Sequence, residues 1–130
     1  MNLLDTHIWF WWVSSPELLS RSQREFLENT ADQLAVSIIS LWEISLLESK
    51  GRIDLPKPVK EWFVMALDEP KIDVIDLNSD IVIESNNLPG SFHRDPADRM
   101  IVATSRILKA PLMTSDSKIL KYEFVDKVGL

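Results

Sequence analysis

Five acids carry the chemical content of this sequence: Asp5, Glu43, Asp95, Asp98 and Asp116. Asp5 follows a mostly apolar run at 1–4 and precedes the apolar stretch 8–13, and no Lys or Arg occurs before residue 21. A carboxylate in such a setting is costly to bury unless it is paired or bound to a metal. Glu43, Asp95 and Asp98 each also read as structural acids. A cap is worth about 1 kcal/mol, and an acid in the field of a helix N-terminus about 0.3–1 kcal/mol. Together the acids say more. Two carboxylates about 6 Å apart at an effective dielectric of about 20 repel by roughly 3 kcal/mol. Four in one cleft must therefore be protonated or hold a cation. Oxygen donors in a chain without cysteine select a hard cation, Mg²⁺ or Mn²⁺. Such ions activate water and stabilise the leaving oxygen of a phosphodiester, which is the chemistry of a hydrolytic nuclease.

The elements that must gather these acids are short. Residues 1–4 read as a buried strand ending at Asp5, followed by a short apolar helix over 8–13 that Ser14, Ser15 and Pro16 break. Ser20 caps a helix to about Asn29, and 34–36 is a second strand that could run on to Ile39. Ser40 and Glu43 have the spacing of a capping box, opening a helix that Gly51 stops. Pro58 starts a further helix, 72–77 alternates as a third strand, and Ser79 caps the helix that follows. Asp95, Pro96 and Asp98 stand at N-cap, N1 and N3 of the next helix. Residues 111–114 form a fourth strand, Asp116 begins a short helix, and 125–128 is a candidate edge strand. Strands alternate with helices and are apolar on both faces. This predicts an α/β three-layer fold, a short, mainly parallel central sheet covered by helices, in one domain spanning 1–130. In open α/β sheets ligands bind beyond the carboxyl ends of the strands. All five acids fall at strand exits or helix entries, hence at that edge.

Other classes lose ground. With 130 residues, 20 Asp and Glu against 14 Lys and Arg, and a net charge of −6, the chain does not hold nucleic acid by a broadly basic surface. Charge can still be local. The dinucleotide, P-loop and hydrolase-elbow glycine patterns are all missing. The run 8–13 is far too short to span a bilayer and lacks a basic flank, so a cytoplasmic protein is expected. A phospho-acceptor signalling domain that binds Mg²⁺ remains an alternative. Asp5 stands alone, however, where such domains usually carry an acidic pair, and Asp76 lies inside the alternating run.

The stretches 3–7 (LLDTH), 36–44 (VSIISLWEI), 93–101 (HRDPADRMI) and 112–116 (LMTSD), with the connector 50–56 (KGRIDLP), occur in one order. In these the sequence resembles the PIN-domain ribonucleases, and within them the VapC-like toxins of toxin–antitoxin pairs, from residue 2 to about 120. The resemblance implies a PIN fold and a Mg²⁺- or Mn²⁺-dependent endoribonuclease, silenced by an antitoxin protein and usually a homodimer. A PIN nuclease of RNA processing, with no antitoxin, is the alternative. By position Asp5, Glu43, Asp98 and Asp116 match the four family acids. On this reading Asp5, Asp98 and Asp116 hold the metal, and Glu43 completes the shell or positions the attacking water, leaving a 5′-phosphate and a 3′-hydroxyl. Thr114 matches a polar family position, and Thr6 and Ser40 are expected to support the ligands by hydrogen bonds. Asp95 is an auxiliary acid or only a cap; the cap with some influence on the ligands is favoured.

Three further residues are candidates for RNA contact. His93 could meet phosphate or assist the leaving group, or be merely solvated. Arg94 and Arg99 flank the acids and suit bidentate phosphate contacts, with an ion pair to a nearby acid as the other reading of Arg99. The Trp9, Phe10, Trp11, Trp12 cluster cannot all face inward from one short helix. A ring of that cluster is expected to meet another chain, unless 14–19 folds back over it. Trp42 and Trp62 are expected in the core.

Overall fold

A computed structural model describes residues 1–130. Four parallel strands, β1 (Asn2–Leu4), β2 (Leu34–Ser37), β3 (Ile72–Ile75) and β4 (Leu112–Met113), form one sheet in the order β3-β2-β1-β4. Seven helices connect and cover them: α1 (Thr6–Ser14), α2 (Arg21–Asn29), α3 (Ile38–Ser49), α4 (Val59–Ala66), α5 (Ser79–Ser85), α6 (Pro96–Leu108) and α7 (Ser117–Leu120). The three-layer α/β architecture is the expected one, and every strand pair is parallel. The expected edge strand at 125–128 is reduced to one parallel bridge, Leu112 with Lys127.

Alternation along the strands sends side chains to both faces, and each face has its own core. Leu3, Ala35 and Leu112 pack with Ile81 of α5, Ile101 and Val102 of α6 and Ile119 of α7. Leu4, Leu34, Val36, Met113 and Ile72 pack with Ile8 and Trp9 of α1, Leu27 of α2, Ile44 of α3 and Trp62 of α4. Burial on both sides explains why β1, β2 and β4 read as mostly apolar runs, whereas the edge strand β3 alternates and exposes Asp73. No helix is long and apolar enough to cross a membrane.

Local expectations at α3, Trp42 and α5 are corrected. Helix α3 starts at Ile38, not after Ser40: the Ser37 hydroxyl caps it by accepting from Ile39 N at 3.1 Å. Pairing of β2 with β3 runs through Ser37 opposite Ile75, so the chain turns directly into the helix and Ser37 takes the cap. Trp42, expected in the core, is 55% exposed, whereas Trp62 is fully buried. The aromatic run on α1 is largely covered within the chain. Trp9 is buried, its ring 5.3 Å from Trp62 and stacked near Phe63, while Phe10, Trp11 and Trp12 are partly buried on the same core. Asn78, rather than Ser79, caps α5.

Candidate active site

The topology decides which residues meet. Strand β1 lies between β2 and β4, and the chain reverses its winding direction between β1 and β4. A crevice opens beyond the strand ends at such a switch point. Asp5, the first residue past β1, lies centrally there, with the α3 residues after β2 on one side and Thr114 and Asp116 after β4 on the other.

Asp5 is 5% exposed and held at both oxygens. Oδ1 accepts from Thr6 N at 2.8 Å, as the N-cap of α1, and Oδ2 accepts from the Thr114 hydroxyl at 2.7 Å. Thr114 Oγ1 also accepts from Asp116 N at 3.0 Å, so one threonine ties two acids together. Asp116 in turn caps α7, accepting from Lys118 N at 2.7 Å. On the other side Thr6 Oγ1 lies 2.6 Å from Glu43 Oε1 and 2.7 Å from Ser40 Oγ. A hydroxyl has one proton to donate. Thr6 donates it to Glu43, so Ser40 donates to Thr6. Ser40 is thus a buried support rather than a cap. Glu43 stands in the second turn of α3, beyond the reach of the helix-end field that would explain it structurally.

Asp95 caps α6 as expected, accepting from Asp98 N at 3.2 Å. Asp98 projects into the same group of charges. Burial and then the charges of Asp5, Asp95, Glu43 and Asp116 push its carboxyl up to about 8. Burial also raises Glu43, with Asp5 and Asp95 adding to the shift and the Thr6 bond opposing it. Burial raises Asp5 against the lowering effects of Thr114, Thr6 and His7. The four acids and Asp95 therefore act on one another electrostatically. No three of them are already gathered into a ready-made metal cage. The donor set nonetheless fits a hard divalent cation: it is made of oxygens, and none of these acids is ion-paired with a Lys or Arg.

Residues 3–125 match the PIN domain family. The chain belongs to that family. This PIN domain is 34% identical over 117 residues to Ribonuclease VapC22 of Mycobacterium tuberculosis (strain ATCC 25618 / H37Rv), a match covering 90% of this chain and 88% of that protein. Two solved structures share its fold. One is VapBC2 from Rickettsia felis bound to a DNA fragment from their promoter, with a TM-score of 0.69, 20% identity, and 98% and 96% of the two chains covered. The other is a toxin–antitoxin complex from Klebsiella pneumoniae, with a TM-score of 0.67, 21% identity, and 96% and 95% covered.

The basic candidates of this PIN domain fall in different places. Arg94 is exposed and precedes Asp95 in the chain. Arg99 is neither free nor paired with an acid. Its Nε donates to Ser85 O at 2.8 Å, and one terminal nitrogen donates to Phe92 O and His93 O at 3.0 and 3.1 Å. It clips the loop before α6 to the end of α5. The His93 Nε2, expected to face RNA, is buried 3.0 Å from Asp98 Oδ2, without the alignment of a hydrogen bond. His7 also joins the site. With Trp11, Ser115, Asp5 and Asp116 it lines a depression of about 260 Å³, its ring 5.7 Å from Trp11. The available signal was spacing: His7 and Trp11 lie one helical turn apart, directly after Asp5.

Proposed function

We propose that this PIN domain is a divalent-metal-dependent endoribonuclease and the toxin of a toxin–antitoxin pair, working in the cytoplasm. The observation that carries the reading is the convergence of Asp5, Glu43, Asp98 and Asp116 at one sheet edge, where burial and then the neighbouring acids hold Asp98 near 8. Such a group of acids is unfavourable by itself and becomes useful once a cation balances it. The likeness to a protein named as a ribonuclease, and a fold shared with chains solved in toxin–antitoxin assemblies, support the same conclusion.

Asp5, Asp98 and Asp116 are the residues to hold Mg²⁺ or Mn²⁺, and Glu43 completes the shell or orients the attacking water. When bound, the ion supplies water activation and charge stabilisation at the leaving oxygen. The chain does the rest by positioning. Thr114 fixes the Asp5 carboxylate, and the Ser40–Thr6 relay fixes Glu43. Asp95 holds the first turn of α6, and with it Asp98, in place. Arg94 is the exposed cation for the RNA phosphates. Arg99 shapes the loop that carries it. RNA is the substrate, an antitoxin protein the inhibitor, and a homodimer the assembly.

Brief induction in a bacterial host, followed by sequencing of RNA 5′ ends, tests this reading. Growth arrest with enriched 5′-phosphate ends at a defined site is expected, with both effects absent for Asp98→Asn. Arrest without enriched ends, or equal effects from Asp98→Asn, contradicts it.

A further inference from the structure

We propose that a notch between the 90–93 loop and the chain around α7 is a nucleotide subsite, seating one base and its phosphate beside the scissile bond. The proposal rests on the ribonuclease reading above and adds where the strand is gripped. The notch has a volume of about 400 Å³, within the range of small-ligand sites, and its walls include Gly90, Phe92, His93, Lys118, Lys121 and Phe124.

Its position ties it to the acids. His93 lines the notch and also meets Asp98 at 3.0 Å. The helix that bears Lys118, α7, is capped by Asp116. A strand with a phosphate at the acids therefore has its next nucleotide at the mouth of the notch.

The walls offer both halves of what a nucleotide needs. Phe92, Tyr122 and Phe124 form a ladder of rings, with centroids 4.8 and 5.7 Å apart. Tyr122 donates its hydroxyl to Pro89 O, which joins the chain after α7 to the loop opposite. Phe124 is 41% exposed yet backed closely. Gly90 has φ of +65°, and a Cβ there would lie 2.8 Å from the Phe124 ring. The ring rests on bare backbone and presents its free side outward, as a stacking platform does. Lys118 and Lys121 are exposed and belong to no ion pair, in contrast to Arg106, which is bound to Glu84 and the Phe124 carbonyl. Glu123 also lines the notch, leaving one net positive charge there in a chain of charge −6. Two free ammonium groups beside aromatic faces, next to a phosphodiester-cutting site, suit a single-stranded RNA better than an apolar peptide.

Fluorescence anisotropy of a labelled eight-nucleotide RNA on the non-cleaving Asp98→Asn chain tests the subsite. Added Phe124→Ala should weaken binding about tenfold, the effect of one lost stacking contact. Added Lys118→Ala with Lys121→Ala should make the slope of log affinity against log salt shallower by about 1.4, for two phosphate contacts on a single strand. Thermal melts identify any variant that is misfolded, and the two sets of changes serve as independent tests. Unchanged affinity and slope, or no RNA binding by the Asp98→Asn chain, overturns the subsite. So does RNA binding that persists while affinity for a co-expressed protein partner falls. If the unmodified chain fails to cut RNA while the variants still lose binding, the ribonuclease reading falls and the subsite stands. Cutting by the unmodified chain, with the variants binding normally, removes the subsite alone.

Discussion

Asp98 is where the electrostatics of the site concentrate. Unfolded, its carboxyl ionises near 4; folded, burial and four acidic neighbours hold it near 8. A carboxyl raised on folding contributes its full stability below the unfolded value, and that contribution is lost as pH rises through the folded value. In EDTA, melting temperature should therefore fall between pH 5 and pH 8, with Asp5 and Glu43 acting in the same direction. Asp98→Asn should melt higher than the unmodified chain at pH 8. Mg²⁺ should raise the melting temperature of the unmodified chain more at pH 8 than at pH 5, and have little effect on the variant. Melting curves across that range check all three outcomes, and a cation-free chain more stable at pH 8 contradicts them. Thr6→Val removes the donor to Glu43 without changing side-chain shape. It should reduce metal affinity or cleavage about 10–100-fold, as loss of a group orienting a ligand does. Asp5, Asp98 and Asp116 were legible because each follows a strand or an Asp-Pro helix start. The commitments of Arg99 and His93 were not, because they depend on carbonyls and a carboxylate that only the folded loop brings near.

Helix α3 shows how an element can be legible while its boundary is not. The Ser40/Glu43 spacing fits a capping box, and so does nothing to reveal that Ser37, still paired in β2, takes the cap three residues earlier. Local spacing cannot register where sheet pairing ends. The consequence is functional, because the shift places Glu43 in the second turn and frees it from a structural duty. Ser37→Ala should cost about 1 kcal/mol of stability, the usual loss for a removed cap. Ser40→Ala should act mainly on cleavage, because it removes the donor that sets Thr6. Denaturant titration beside cleavage rates separates the two variants. Asp95→Asn keeps an equally good cap on α6. It should leave stability within about 0.5 kcal/mol, the range of a neutral surface change, and lower the Asp98 carboxyl by removing one neighbouring charge.

The whole molecule is acidic at −6, and five of its acids stand together at one edge of the sheet. That location changes what the charge means: on the proposed function, the acidity that seemed to argue against RNA is largely the place where a cation binds. The architecture was legible because β1, β2 and β4, buried on both faces, leave mostly apolar runs between helical ones, and the edge strand β3 alternates. The exposure of Trp42 and the cover over Trp9 were not legible, since both depend on how α1, α3 and α4 pack. Binding of RNA should be local, through Arg94, Lys118 and Lys121. Three contacts to a single strand give a salt slope of about −2; a much steeper slope would indicate a wider basic surface. The most direct test of the account is hydrolysis of a defined RNA by the purified chain in Mg²⁺ and in EDTA, alongside Asp5→Asn. The account predicts 5′-phosphate products in Mg²⁺, none in EDTA, and none from the variant. Undiminished cleavage in EDTA, or by Asp5→Asn, contradicts it.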